Sequence, residues 1–399
     1  MSISNETSPR DENRIEEIAQ RLKINRRYYT EEDPANHTLA VFAEAALHAL
    51  DEPYFRDLVQ DMFDTRPDLP TPYAVKLLER VYQADLLEHN PEYPIGYHRV
   101  DAWLKEFSDV NEDMTRGGIV WHSLMYRNLQ SNVAERYKTI KLLTGLVRER
   151  FDEPPTHLDV GSSVLHGDIK LAFNQMHEPM RVPFGHIEVV KGERNNNAPD
   201  RYLTKLANIA LQQQVEFGPM MGIDITDVDD PVTKQWVKSC SFYPDELLDE
   251  RRVSEYDELD QLDPNHERVK VFRDDFAAFD FRKFREVSPV DTYDIITFST
   301  VFYQVSPHER TAMLVNASQL LSPRGIIVIQ DGVGGDFSKR FNYVTSVIDS
   351  TEDNPSEQTV FRWETPRCRK VMLGLGKISI GGKARTIGEA LHLTHSTEQ

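Results

Sequence analysis

The stretch HLDVGSSVLHGDIKL, residues 157–171, is typical of a buried strand followed by a tight turn and the start of a helix. Leu158 and Val160 favour a strand, and Gly161 permits backbone geometry that a Cβ atom would forbid. Gly167 allows a helix or a ligand to approach the backbone closely. The stretch therefore predicts a site for a nucleotide-like ligand at the end of this strand.

Strands and helices alternate along the chain after this stretch, which predicts a parallel sheet covered on both faces. The predicted strands span residues 156–160, 220–225, 269–273, 293–299 and 325–330, with two final strands at 359–363 and 369–373. The predicted helices span residues 168–176, 232–240 and 308–321. The interval 175–217 is longer than an ordinary crossover, so it predicts an insertion that contains a helix at 202–213.

The chain before this stretch has a different pattern. Residues 1–13 are polar and predict a disordered tail. Apolar residues then recur at helical spacing, which predicts an N-terminal helical domain over residues 14–95. The loop-like segment NPEYPIG, residues 90–96, marks its end, and residues 96–399 form the second domain. The predicted fold class is therefore α/β, with a doubly wound, mostly parallel sheet and an N-terminal all-α unit.

The composition narrows the classes of partner. The chain has 399 residues and a formal net charge of −19, which disfavours extended contact with the phosphates of nucleic acids. Only two cysteines occur, far apart, and no metal-ligand spacing is present. No apolar run is long enough to span a bilayer and the first residues lack an apolar signal-peptide core, so we expect a cytoplasmic protein without membrane association.

Acidic residues follow three of the predicted strands. Asp159 ends the first strand, Asp224 ends the second and Asp275 follows the third. In a doubly wound sheet, ligands bind at the carboxyl ends of the strands, where the strand order reverses. A carboxylate at the end of the second strand can accept hydrogen bonds from both ribose hydroxyls, because its oxygens offer several acceptor sites.

The motifs HLDVGSS (157–163), MGIDIT (221–226), RDDF (273–276) and the block YDIITFSTVFYQVSPHERTAMLVNASQLLSPRGIIVIQD (293–331) together resemble the class I S-adenosylmethionine-dependent methyltransferases, small-molecule type. The first loop carries Ser162 and Ser163 where most members have a second glycine. The resemblance implies S-adenosylmethionine as cofactor, with its methionine part near Asp159, its ribose on Asp224 and its adenine beside Asp275. The residues that it places at the cofactor are Asp159, Gly161, Ser162, Ser163, Asp224, Ile225, Asp275, Phe276 and Ser299.

The predicted reaction is methyl transfer to an oxygen, nitrogen or carbon atom of a small-molecule substrate. If the acceptor must lose a proton, Tyr303 and His308 are the candidate catalytic residues, although a packing role for Tyr303 and a helix-capping role for His308 are open alternatives. The sequence STVF at 299–302, in place of Asn/Asp-Pro-Pro-Tyr, argues against methylation of nucleic acid bases. A catalytically inactive, methyltransferase-like binding or regulatory protein and a protein methyltransferase are the alternatives, and a homodimer is a further open hypothesis.

Overall fold

The computed structural model describes residues 9–31, 36–90, 93–131, 133–173, 184–192, 198–227, 230–261, 269–333, 340–352 and 355–396. Residues 1–8 of the predicted tail, residues 174–176 of the predicted helix 168–176, and residues 175–183 and 193–197 of the predicted insertion lie outside this set. Among the described residues, no helix combines the length and the apolar character needed to cross a bilayer.

The chain forms two compact units, one of Met1–Ser131 with Gln235–Ser254 and the other of Asn132–Lys234 with Glu255–Gln399. The first unit is helical. Its helices are α1 (Pro9–Glu31), α2 (His37–Ala49), α3 (Pro53–Thr65), α4 (Thr71–His89), α5 (Val100–Glu112) and α6 (Met114–Tyr126). Helix α1 begins inside the segment 1–13 that was predicted to be disordered, and proline is favoured at the first position of a helix.

The division of the units differs from the predicted boundary at residues 95 and 96. Helix α5, which the sequence analysis assigned to the second domain, packs within the helical unit. The ring centroid of Phe42 on α2 lies 4.9 Å from that of Trp103 and 5.8 Å from that of Phe107. The loop at 90–96 interrupts the helical pattern, whereas the apolar core of the helical unit continues beyond it.

The second unit contains a nine-stranded sheet and a two-stranded hairpin. The strands are β1 (His157–Val160), β2 (Glu188–Val189), β3 (Met220–Asp224), β4 (Val269–Arg273), β5 (Tyr293–Ser299), β6 (Leu321–Gly332), β7 (Tyr343–Asp349), β8 (Gln358–Trp363), β9 (Lys370–Leu373), β10 (Lys377–Ile380) and β11 (Lys383–Thr386). The sheet order is β2-β9-β8-β7-β6-β5-β1-β3-β4. All strands predicted from the sequence are present.

Helices flank these strands. They are α7 (Tyr137–Val147), α8 (His166–Phe173), α9 (Arg201–Gln212), α12 (Phe281–Val287), α13 (Pro307–Leu320) and α14 (Ile387–Ser396), while α10 (Pro231–Ser241) and α11 (Glu250–Gln261) each extend over residues of both units. Both faces of the sheet are buried. Ile296 of β5 packs in a core with Met313 of α13, whereas its neighbour Ile295 packs in a second core with Leu143 of α7. Alternate residues therefore serve opposite faces, as a doubly wound sheet requires.

The strand order reverses beside β1. Strand β1 pairs in parallel with β3 on one side and with β5 on the other. After β1 the chain forms β2 at the far edge of the sheet, then β3 and β4 on one side of β1, and then β5 on the other side. The carboxyl ends of β1 and β5 form the switch point at which ligands bind in such sheets.

An antiparallel meander completes the sheet after β6. Strand β7 pairs antiparallel with β6, β8 with β7, and β9 with β8. The two final strands predicted at 359–363 and 369–373 are present as β8 and β9, whereas β7 was not predicted. The sequence of β7 did not reveal a strand, because polar Thr345 and Ser346 interrupt its apolar residues. In the structure both of these polar side chains are buried.

A buried ion pair joins the end of β7 to the segment after α7. Asp349 accepts hydrogen bonds from Arg150 Nη1 at 3.0 Å and Nη2 at 2.7 Å, and from the backbone N–H of Ser379 at 2.8 Å. These bonds lower the pKa of Asp349 although burial raises it. Loss of one partner would leave the other charge buried and unpaired, which is strongly destabilising.

We expect the substitution Asp349→Ala to lower the free energy of unfolding by about 3 to 5 kcal/mol, measured by urea unfolding and far-UV circular dichroism. The matched control is Asp291→Ala, because Asp291 is exposed in the turn before β5. Equal losses in the two variants would show that the ion pair does not stabilise the meander.

Candidate functional site

The predicted cofactor residues come together at the carboxyl edge of the sheet. Gly161 directly follows β1, Asp224 ends β3, Asp275 follows β4 and Ser299 ends β5. Because these four strands are parallel neighbours in the order β5-β1-β3-β4, their ends lie side by side. The sequence motifs therefore occupy one continuous edge at the switch point.

The loop after β1 has an unusual backbone. Gly161, Ser163 and Leu165 have φ angles of 75°, 51° and 61°, all in the left-handed region. Such angles are uncommon for residues other than glycine, and they cluster at functional sites. At Gly161 a Cβ atom would also lie 2.6 Å from Cγ2 of Val301, so both the backbone and the packing require glycine there.

Asp224 holds this loop in place. Its Oδ2 accepts a hydrogen bond from the Ser163 backbone N–H at 2.8 Å. Its Oδ1 accepts from the backbone N–H of Thr226 at 3.0 Å and from the Thr226 hydroxyl at 2.6 Å. A carboxylate offers about four lone-pair sites, so acceptor capacity remains for a ligand hydroxyl. Asp224 thus links the ends of β1 and β3.

Ser163 presents an unused polar atom at this edge. Its hydroxyl oxygen is buried and has no hydrogen-bond partner among the residues that the structure describes. Burial of a hydroxyl without a partner is unfavourable, so such groups are rare in native proteins unless a ligand or water completes them. The loop therefore fits a ligand with polar groups, such as the amino acid part of S-adenosylmethionine.

A polar network lies beneath the loop, on the face of the sheet that α7 covers. Both carboxyl oxygens of Asp159 accept hydrogen bonds, one from the Tyr137 hydroxyl and one from the Thr297 hydroxyl. Thr297 also bonds His157 Nε2 at 3.1 Å, and His157 Nδ1 lies 3.0 Å from Asp168 Oδ1. Asp159 is fully buried, so the structure places it in support of the loop.

Burial controls the charges of this network. It lowers the pKa of His157 to about 4 and raises the pKa of Asp168 to about 7. It also raises the pKa of Asp159, and the nearby Asp168 adds to the rise. Burial shifts the pKa values of His157 and Asp168 toward their neutral forms, so their contact is not a pair of full charges. The atoms His157 Nδ1 and Asp168 Oδ1 lie close together, and neither has a hydrogen-bond partner among the described residues.

Tyr137 explains the second glycine of the opening stretch. A Cβ atom on Gly167 would lie 2.0 Å from Cε2 of the Tyr137 ring. The close approach that Gly167 permits is therefore made by this ring, which brings the Tyr137 hydroxyl to Asp159. Tyr137 is the first residue of α7, so a helix makes the close approach that Gly167 was expected to permit.

A second polar cluster lies at the ends of β5 and β6. Arg136 Nη1 donates to the Thr300 hydroxyl at 2.8 Å, and Thr300 has a φ angle of 60°. Asp331 accepts from the backbone N–H of Tyr303 at 2.8 Å and from that of Gly332 at 2.8 Å. Burial raises the pKa of Asp331 to about 7, and the charge of Arg136 opposes this rise.

The candidate catalytic residues lie on the segment that follows β5. Tyr303 is half-buried in a short 3₁₀ turn, where its backbone bonds Asp331. His308 is exposed in the first turn of α13, whose start is capped reciprocally by Ser306 and Glu309. The structure thus brings Tyr303 to the polar cluster at β6 and leaves His308 on the surface.

The remaining predicted residues differ in exposure. Ser162 is buried, and its hydroxyl oxygen lies 2.5 Å from where a Cβ atom of Gly222 would be. Phe276 is buried in the core beside α13, whereas Ile225 and Asp275 are exposed at the rim of the edge. Asp275 accepts a hydrogen bond from the Ala277 backbone N–H at 2.9 Å.

Sequence reasoning did not single out Arg136, Thr300 or Asp331 as site residues. Arg136 precedes α7 in a region whose pattern indicates only helices. Asp331 lies one residue beyond the predicted strand 325–330, although it belongs to β6. The one available signal was that Asp331 comes near the predicted end of a parallel strand, the same position that identified Asp224.

Comparison with known proteins gives only distant similarity. No known protein-family model matches the chain, and no curated protein matches it. Solved structures similar to parts of it include an enzyme described as a pericyclic reaction enzyme, with 14% identity, coverage of 74% of this chain and 53% of that chain, and a TM-score of 0.26. YjhP from E. coli has 15% identity, coverage of 51% of each chain and a TM-score of 0.24. The plantazolicin methyltransferase BpumL has 13% identity, coverage of 65% of this chain and 60% of that chain, and a TM-score of 0.23. The match spans 51 to 60% of those three chains. Similarity at this level carries no argument about activity.

Proposed function

We propose that the second unit binds S-adenosylmethionine at the carboxyl edge of its sheet and transfers the methyl group to a small-molecule acceptor. The strand order supports this proposal because it brings the loop after β1 beside the ends of β3, β4 and β5. The observation that carries it is the buried Ser163 hydroxyl, which has no partner among the described residues and lies at the switch point.

The residues of this edge provide polar contacts along its length. The Ser163 hydroxyl can bond the amino or carboxylate group of the methionine part, and Asp224 retains acceptor capacity for a ribose hydroxyl. The exposed Asp275 can accept a hydrogen bond from the adenine amino group. When bound, the cofactor supplies a methyl group on a positively charged sulfur atom. The chain has to orient the acceptor in line with that bond and exclude water.

We assign the cluster at the ends of β5 and β6 to the acceptor side of this arrangement. A carboxyl group whose pKa lies near 7 is suited to accept a proton at neutral pH, and Asp331 has this property. Asp331 also fixes the backbone of Tyr303, the candidate that the sequence identified. We therefore assign proton removal from the acceptor to this cluster, with Tyr303 or Asp331 as the proton acceptor.

The net charge of −19 favours a small-molecule acceptor over a nucleic acid. Nucleic acid binding relies on the neutralisation of phosphates by lysine and arginine, and a strongly negative protein repels such a polyanion. An acceptor with few charges or a small anion can enter the site despite this field, because salt screens long-range repulsion at physiological ionic strength.

We expect Ser163→Ala to weaken the binding of S-adenosylhomocysteine about fivefold, since about 1 kcal/mol is typical of one hydrogen bond. The free energy of unfolding without ligand should not fall, because the hydroxyl has no described protein partner. Isothermal titration calorimetry of the full chain measures the affinity. The matched control is Ser318→Ala on the exposed surface of α13, which should bind as the unchanged protein does.

Two results would contradict this proposal at different levels. If the unchanged protein does not bind S-adenosylhomocysteine at millimolar concentration, the proposed cofactor is wrong. If it binds but Ser163→Ala binds equally well, the cofactor is right and the placement of its amino acid part is wrong. The variant Asp224→Ala should lose both affinity and stability, because Asp224 also holds the loop.

The raised pKa of Asp331 predicts a pH dependence of stability. The folded protein keeps a proton on this carboxyl that the unfolded chain releases above about pH 4. Its contribution to stability is therefore present below about pH 4 and is lost as the pH rises to about 7. We expect the free energy of unfolding to fall between about pH 5 and about pH 7.5. This fall should be about 2 kcal/mol smaller in Asp331→Asn than in the unchanged protein, because the variant lacks the titrating carboxyl group.

Urea unfolding at the two pH values measures this difference. Any pH-independent effect of the asparagine side chain on stability cancels, because the two pH values are compared within the same protein. The control Asp291→Asn should follow the pH dependence of the unchanged protein, since Asp291 is exposed. An identical pH dependence in Asp331→Asn would show that Asp331 is ionised normally in the folded state.

A further inference from the structure

Three lysine side chains are buried together in the second unit. Lys138 and Lys141 lie one turn apart on α7, and Lys170 lies on α8. Their exposed fractions are 2%, 3% and 2%. Lysine is almost never fully buried unless it is paired, so three such side chains in one place require an explanation.

The three ammonium groups converge on one short segment. The Nζ atoms of Lys141 and Lys170 lie 5.5 Å and 5.1 Å from the centre of the Phe184 ring. Lys138 Nζ lies 3.6 Å from where a Cβ atom of Gly185 would be. Burial lowers the pKa of Lys138, and the charge of Lys170 lowers it further.

The described partners do not balance these charges. Lys170 forms an ion pair with Glu255. Lys138 Nζ donates to the carbonyl oxygen of Cys368 at 3.3 Å, and Glu135 acts on it only as a nearby charge. Within the part of the chain that the structure describes, Lys141 has the Phe184 ring as its contact and has neither an ion pair nor a hydrogen bond. A cation over an aromatic ring gains less than a buried ion pair with good hydrogen bonds.

Burial disfavours the charged forms of Lys138 and Lys141. It lowers the pKa of Lys138, and it lowers the pKa of Lys141 to about 8. Both shifts express the cost of a charged amine that water does not solvate. A negatively charged ligand between the three amines would compensate this cost through charge-assisted hydrogen bonds, since each ammonium group offers three donors.

We propose that Lys138, Lys141 and Lys170 form a binding site for a small multivalent anion that carries phosphate or carboxylate groups. The site is built by two rigid helices, and the ring of Phe184 forms one wall. It is independent of the proposed cofactor site, whose residues lie at the carboxyl ends of the strands. Helix α7 connects the two, because its first residue Tyr137 contacts Asp159.

Thermal unfolding and isothermal titration calorimetry of the full chain test this site with inorganic phosphate and, separately, with citrate. Sodium chloride at matched ionic strength is the reference. We expect at least one of the two anions to bind and to raise the melting temperature until the site is saturated. Lys141→Gln should weaken this binding about tenfold or more, because it removes a charge-assisted hydrogen bond. Lys383→Gln, a substitution at an exposed residue of β11, is the matched control and should leave binding unchanged.

The separate experiments with phosphate and with citrate show which kind of anionic group the site binds. Saturable binding of phosphate alone identifies a phosphate site, and binding of citrate alone identifies a carboxylate site. Far-UV circular dichroism checks that Lys141→Gln is folded, and Lys138→Gln takes its place if it is not. The proposal is overturned if neither anion binds beyond the chloride reference, if both lysine variants retain the affinity, or if Lys383→Gln loses it equally.

Discussion

The buried carboxyl group of Asp159 joins three elements of the second unit. It lies at the end of β1 and accepts hydrogen bonds from Tyr137 of α7 and Thr297 of β5. A buried carboxyl group without partners would cost several kcal/mol, so these three elements have to meet in one arrangement. Gly167 contributes to it, because only a residue without a side chain accommodates the Tyr137 ring.

The loop after β1 depends on this support. With the end of β1 fixed, three left-handed residues turn the chain over the edge of the sheet, and Asp224 of β3 captures the Ser163 backbone N–H. The result is a rigid loop whose Ser163 hydroxyl is buried without a described partner. Rigid elements that present unused polar atoms bind ligands without a large cost of ordering. The conformation of the loop and the proposed ligand site therefore have the same cause.

The sequence predicted those features of the fold that follow from local residue patterns. It did not predict features that depend on contacts between residues distant in the chain. The alternation of strands and helices predicted the parallel sheet. The acidic residues at strand ends indicated the carboxyl edge of the sheet, where Asp224 and Asp275 lie. The support of the loop by Asp159 could not be foreseen, because a carboxylate at a strand end has the same pattern whether it faces a ligand or Tyr137. The boundary of the helical unit was misplaced because α5 packs on Phe42 across a loop. The three buried lysines were not noticed, since burial of a charged residue has no signature in one sequence.

Hydrogen exchange of the full chain with and without S-adenosylhomocysteine, followed by mass spectrometry, tests the central claim most directly. Binding at the carboxyl edge predicts slower exchange in peptides that cover residues 157–166 and 220–227, because the ligand stabilises the loop and its bond to Asp224. Peptides from α1 to α3 of the helical unit should exchange at the same rate in both samples. Unchanged exchange at 157–166 with saturating ligand, or protection only elsewhere in the chain, would contradict the claim.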